Sequence, residues 1–374
     1  MTRLGQRTSS GWVIGRIRGV PVVFAPSWFL MAAVLGIIVA PTITRVVPEA
    51  TTTATVLAAA SVPVTLMIGV LAHEIAHGLV GQAVGSPPRE YVLTLWGGHT
   101  QFDADMRTPG ASALVSVVGP LANAVLAGLA WFALGFAESP LVAVLWQIAA
   151  LSNAAVAFFN LLPGYPLDGG RILEAAVWKV TGDRLAGLSA AGWGGRVVAV
   201  AVVVVGLGRP LALGLRPTTF TVLWVGLLAF YLWAGSSQAV NTARARRRAA
   251  GIDLRSVAQP ALALPASAPV AAADAAAGRR VVLLGPAGEV VGLVDDAVLA
   301  QVPPAARATT PLTAVASVLP PTSVVTRLTG AAGVGAAAQA ARTSPAIVLV
   351  DGAAGVVGVL TVDRLEEALR RTRP

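Results

Sequence analysis

Hydrophobic positions in the first two thirds of the chain run in long unbroken blocks, with neither the alternation of a half-buried strand nor the one-sided stripe of a surface helix. Blocks of about 20 apolar residues are long enough to cross a bilayer as helices. They fall near 22–40, 53–80, 111–137, 140–162, 190–207 and 218–236. The fifth is valine-rich with several glycines, and a Gly/Pro-containing link, 208–217, separates it from the sixth. The pattern predicts about six transmembrane helices.

Beyond Gly251 the apolar runs shorten and the pattern changes. An Ala/Pro/Ser-rich stretch, 260–277, reads as a linker or loosely structured entry to a soluble module. Within that module 281–292 is repeated at 347–358, in each copy a strand, a glycine turn and a second strand, followed by helical segments at 295–301 and 362–371. We therefore expect a membrane domain over 1–245 and a cytoplasmic α/β module over 246–374, with repeats at about 253–305 and 306–374.

Composition supports this division. Of 374 residues 55% are hydrophobic and 12% charged, against roughly 25% charged in an ordinary soluble domain. The net charge of +9 sits in arginines flanking the apolar blocks, which points to orientation in a bilayer and away from nucleic acid. Arg3, Arg7, Arg16 and Arg18 precede the first block, and Arg244, Arg246, Arg247 and Arg248 follow the sixth. An even number of spans with basic residues at both ends places both termini in the cytoplasm. No small-residue cleavage site closes the first block, which reads as a retained helix. The Ala/Val/Arg bias suggests a high-GC bacterium, and with it the plasma membrane.

With no cysteine in the chain, disulfides, thiol nucleophiles and thiolate metal sites are excluded, so any metal is held by nitrogen and oxygen. Two of the three histidines stand four apart in His73-Glu74-Ile75-Ala76-His77, inside the second block. On a helix, i and i+4 share a face, which lets two imidazoles bind one zinc, while the intervening glutamate reaches a water on the metal. Ionisable residues in a membrane span are costly to bury and mark function.

A catalytic zinc needs a third protein ligand. Asp168 is the candidate, in the proline- and glycine-broken segment Asn160-Leu-Leu-Pro-Gly-Tyr-Pro-Leu-Asp-Gly-Gly-Arg171. Spans two and four run in the same direction, so the HEIAH segment and Asp168 lie at similar depth. His99 is the rival ligand. It follows a strand-like alternation, Tyr91–Trp96, and a Gly97-Gly98 turn, which places it at the site entrance, outside the metal set. Asn123 and Asn160 are amides in apolar blocks. Each either bonds a neighbouring helix, the option physics favours, or points into the site to hold a substrate carbonyl.

His73-Glu-Ile-Ala-His77, Gly119-Pro-Leu-Ala-Asn123 and Asn160-Leu-Leu-Pro…Pro166-Leu-Asp-Gly-Gly-Arg171 together resemble the site-2 protease family of intramembrane zinc metalloproteases. The two C-terminal repeats resemble the CBS-domain pair that one subgroup carries. The resemblance implies a polytopic α-helical membrane protein with a three-helix catalytic core and a C-terminal α/β CBS-like pair. It implies one Zn2+ per chain on His73, His77 and Asp168, with Glu74 as general base. It further implies single-span membrane protein substrates such as anti-sigma factors, already trimmed by a site-1-type protease. Asn123 would then meet substrate, and the Gly97-Gly98 hairpin would pair with an unwound substrate segment as a strand.

The CBS resemblance has a departure. Where nucleotide-binding members place an aspartate three positions after a Thr or Ser, Thr361 is followed by Arg364, with Asp363 one place early, and the first repeat has Asp295 in place of the Thr. This counts against nucleotide binding and leaves homodimerisation or gating as the pair's role. Two other readings of the chain remain at this level: a cation transporter lined by intramembrane His and Asp, and a silent membrane scaffold. Glu74 between the two histidines argues against both.

Overall fold

The computed structural model describes residues 11–371 except 96, 104–105 and 353; Arg3, Arg7 and Trp96 lie outside the described residues. The chain divides into two compact units, Met1–Ala243 and Arg244–Pro374.

Among the described residues six helices are long and apolar enough to cross a membrane. They are α1 (Ser27–Val46), α2 (Thr52–Ala83), α3 (Pro109–Leu134), α4 (Pro140–Asn160), α6 (Arg184–Val203) and α8 (Thr219–Ala250). Their starts are written in the sequence. Thr51, Thr108, Ser139 and Asp183 each accept a backbone N–H of the first turn, and Pro109 and Pro140 occupy first-turn positions that have no N–H to lose. Small residues line the contacts, with Ala58, Ala59, Ala130, Ala149 and Ala150 buried, as expected where helices associate by close packing without a hydrophobic drive. Large apolar side chains such as Leu129, Phe132, Phe158 and Phe230 face outward.

Three details differ from the sequence expectations. The first span does not begin at residue 22. Val20–Phe24 is strand β2, paired with β1 (Trp12–Ile17) on one side and in parallel with β3 (Pro88–Thr94) on the other, and α1 starts only after Pro26. The β-branched apolar run merges with the apolar helix in composition, and its partner Tyr91–Leu93 is remote in sequence. The fifth span is longer than expected: α6 continues through a π-helical stretch, Val204–Gly208, into α7 (Arg209–Ala212). Finally, Asp168 is not in an irregular segment but opens an amphipathic helix, α5 (Asp168–Thr181), closed by Gly182 in the left-handed region.

β4 (Gly97–Phe102) completes a four-stranded sheet in the order β1-β2-β3-β4, with β4 at the edge. The sheet packs on α2, since both β3 and β4 contact that helix.

In the second unit β6 (Arg280–Leu284) and β7 (Val290–Val294) form the first expected hairpin, and β10 (Ala346–Asp351) and β11 (Gly355–Thr361) the second. Helices α10 (Asp296–Ala300) and α12 (Val362–Arg371) follow, with α9 (Leu254–Val257) near the start of the unit and α11 (Gly330–Ala340) ahead of β10. The stretch 260–277 is not a linker. It contributes β5 (Gln259–Pro265), which pairs in parallel with β6 and antiparallel with β11, and the 3-10 turn Val270–Ala276. Its proline ends and alanine content hide a strand whose register is set by non-local partners. β5 thereby joins both hairpins, with the short strands β8 (Ala316–Val318) and β9 (Val324–Val325), into one seven-stranded sheet ordered β8-β7-β6-β5-β11-β10-β9.

Candidate metal centre

His73 and His77 occupy one face of α2, both buried. The structure brings Asp168 to them across 95 and 91 positions of sequence. His73 Nε2 and His77 Nε2 lie 3.0 and 3.2 Å from Asp168 Oδ2, and 3.0 Å from each other. Among the described residues these three form the one group of His and carboxylate side chains placed to hold a metal ion. Donors on a tetrahedral zinc with bonds of 2.0–2.1 Å stand about 3.3 Å apart, close to the spacing seen.

Proton positions sharpen this fit. Asn123 Nδ2 donates to the Gly69 carbonyl and to Asn153 Oδ1, at 3.1 and 2.9 Å, so its Oδ1 is the atom that faces His73 Nδ1 at 2.6 Å. His77 Nδ1 meets the Val115 carbonyl at 2.6 Å. Both acceptors are oxygen, so both Nδ1 atoms carry a proton, and in its neutral form each imidazole turns an Nε2 lone pair inward. Two lone pairs and a carboxylate oxygen converge, and a cation among them relieves their repulsion. Gly119 of α3 closes one side: a Cβ there would collide with His77 Nε2 and lie 2.6 Å from His73 Nε2.

Glu74 is buried beside the pair and stays outside the donor group. Thr100 Oγ1 of β4 donates to its Oε2 at 2.7 Å and approaches its carbonyl at 3.0 Å. Gly98 lies over the same side chain, where an added Cβ would stand 2.6 Å from Glu74 Cγ. The carboxylate is therefore held from above by the hairpin, not by its own helix.

Asp168 is anchored through the segment that precedes it. Tyr165 N donates to the Ala191 carbonyl at 3.1 Å, and Ser236 Oγ donates to the Tyr165 carbonyl at 2.6 Å. The Tyr165 hydroxyl donates to Glu174, which also accepts from Arg184 Nε at 3.0 Å. Burial pushes the Tyr165 phenol up, well above its ordinary 10.0, with Arg171 opposing and Glu174 reinforcing that shift. At the N-terminus of α5, a Cβ at Gly169 would run into the Leu161 and Leu162 carbonyls. This close backbone approach explains the glycine after the aspartate.

A cavity of about 500 Å3 opens onto these groups, lined among others by Gly97, Gly98, Thr100, Asn160 and Arg171. Asn160 is on its wall, its amide also donating to the Val156 carbonyl at 3.0 Å. His99 is exposed at the rim beside Gln101 and outside the donor cluster, as expected. Asn123 is fully buried behind His73 with its amide engaged on both sides, which is the interhelical role that physics favours. Sequence reasoning missed Thr100, Asn153 and the Tyr165–Glu174–Arg184 chain. Asn153 alone carried a signal, as a polar residue within an apolar span.

Residues 135–205, which contain α4, Asp168, α5 and α6, match the model of Peptidase family M50. The chain is 32% identical over 212 residues to the putative zinc metalloprotease Rip3 of Mycobacterium tuberculosis, covering 55% of this chain and 52% of that protein. It is 27% identical over 250 residues to the putative zinc metalloprotease sll0528 of Synechocystis, covering 65% and 63%. The chain thus spans about half the length of the mycobacterial relative and under two thirds of the cyanobacterial one. Among solved structures it is similar to the site-2 protease from Methanocaldococcus jannaschii, with 20% identity, a TM-score of 0.41, and coverage of 61% of this chain and 94% of that one. Residues 135–205 thus resemble Peptidase family M50, and a longer stretch of the chain resembles putative zinc metalloproteases.

Proposed function

We propose that the chain is an intramembrane zinc endopeptidase that cuts membrane proteins in or near a transmembrane segment. The observation that carries this reading is the convergence of His73, His77 and Asp168, with Glu74 held beside them, on a cavity within a bundle of apolar helices. One zinc per chain on the three donors would supply Lewis-acid chemistry, lowering the pKa of a water and polarising a peptide carbonyl. Glu74 takes the proton from the attacking water and delivers it to the departing amine, so a single carboxylate serves as base and then acid. Asn160, on the cavity wall, offers an amide donor to the carbonyl oxygen as charge develops there.

A helical substrate has its backbone amides internally bonded, so it must unwind to reach the site. β4, with Gly97 and Gly98, is an edge strand beside Glu74 and supports pairing with an extended substrate segment. The substrate class we assign is the single-span membrane protein, anti-sigma factors among them, released to this site by an upstream protease on the outer face. The bilayer would be the bacterial plasma membrane, with both termini cytoplasmic. We assign the C-terminal CBS-like pair a homodimerising or gating role without nucleotide.

The test is cleavage of a single-span substrate in liposomes by the wild type and by Glu74→Gln, with the cut position read by mass spectrometry. The reading expects a cut within or at the edge of the span, absent with Glu74→Gln. Equal cleavage by both proteins overturns it.

A further inference from the structure

Between their charged ends, the six membrane-crossing helices hold one charged side chain outside the metal centre, Arg196 of α6. Its guanidinium stacks 4.5 Å from the Trp193 ring centre and 5.3 Å from that of Trp233 on α8. Nη2 donates to Ser237 Oγ at 3.2 Å, while Nε is buried with no hydrogen-bond partner among the described residues. Among the described residues no ion pair reaches it, and neither α6 nor α8 carries a carboxylate. Stacking between rings holds a guanidinium in place but leaves its charge, and a cation in an apolar setting calls for an anion.

Trp193 and Trp233 are 49% and 47% exposed on the outward face of the α6/α8 pair, and Val197 and Val200 beside them are 68% and 52% exposed. This surface would lie along acyl chains. Ser237 precedes Arg244 by seven positions on α8, about 10 Å at 1.5 Å per residue. With the termini on the cytoplasmic side, as proposed above, the arginine run ending that helix marks the cytoplasmic boundary, and Arg196 lies towards it, an arginine snorkelling beside interfacial tryptophans. The guanidinium fork suits phosphate oxygens. A zwitterionic headgroup carries its own cation and leaves Arg196 uncompensated, whereas a lipid of net charge −1 neutralises it.

We infer that Arg196, clamped by Trp193 and Trp233, binds the phosphate of an anionic phospholipid of the cytoplasmic leaflet. The site is separate from the metal centre and does not rest on the peptidase reading, so Glu74→Gln leaves it intact.

The test uses the full chain in nanodiscs of phosphatidylcholine with one fifth phosphatidylglycerol, with retained lipids identified by native mass spectrometry. The wild type is expected to keep phosphatidylglycerol in preference to phosphatidylcholine, and Arg196→Gln to weaken that retention about tenfold, as for loss of one charge-assisted fork. Trp193→Leu, which keeps the charge, is expected to fall between them and guards against a glutamine variant that fails to insert. Millimolar inorganic phosphate is expected not to displace the lipid. Equal phosphatidylglycerol retention by the wild type and both variants, no preference over phosphatidylcholine, or displacement by free phosphate would each overturn the site.

Discussion

Asn123 distinguishes a residue that touches substrate from one that holds a metal ligand. The structure gives it no exposure and three hydrogen bonds: its Oδ1 with His73 Nδ1, and its Nδ2 with Gly69 O and Asn153 Oδ1. Asn123→Ala removes the acceptor that fixes the His73 tautomer. Loss of such an outer partner lowers metal affinity about 10–100-fold, or about 1.4–2.8 kcal/mol. The buried Asn153 Oδ1 is also left unpaired, at about 1–3 kcal/mol of fold stability. Asn123→Asp keeps the acceptor toward His73 but sets a second oxygen against Asn153 Oδ1. It should therefore retain zinc better than Asn123→Ala while still losing stability. The assay is competition for zinc with a chromophoric chelator on detergent-purified protein, beside thermal unfolding. Unchanged zinc affinity in Asn123→Ala, with cleavage lost through a raised KM, would refute the positioning role and restore substrate contact.

Three further outcomes follow from the same geometry. Thr100→Val removes the hydroxyl that holds Glu74 and should lower turnover about tenfold or more, in line with about 1.5–3 kcal/mol for a hydrogen bond to a charged group, with zinc content unchanged; Thr100→Ser should recover most of it, and equal kcat in both variants would contradict the role. Gly119→Ala puts a methyl group against both imidazoles and should lose most bound zinc, measured by metal analysis of the purified protein. Because burial raises the Tyr165 phenol pKa in the folded protein, the native state holds a proton that the unfolded chain releases above pH 10, so its contribution to stability is complete below pH 10 and falls as pH rises beyond. Thermal melts across pH 8–11 should show a steeper decline for wild type than for Tyr165→Phe, and parallel curves would contradict the assignment.

The spans were legible because apolar length is a local signal, although α6 begins at Arg184, behind its cap Asp183 and ahead of its apolar block. The candidate metal donors stood out because ionisable residues contrast with an apolar background. What the chain concealed depends on partners far away in sequence. β2 and β5 are composed like their surroundings and become strands by pairing, β2 with β1 and the remote β3, and β5 with β6 and β11. Thr100 is an ordinary strand residue until the hairpin folds over α2. Glu174 and Tyr165 acquire meaning when α5 turns back along α6, and α5 itself was obscured by the glycines that its close approach to the end of α4 demands.

The most direct test of the metal centre is the zinc content of detergent-purified protein, wild type beside Asp168→Ala and Glu74→Gln. The account predicts near one zinc per chain in the wild type and in Glu74→Gln, and loss of most of it in Asp168→Ala. Full zinc occupancy in Asp168→Ala, or its loss in Glu74→Gln alone, would contradict the assignment of ligands and base.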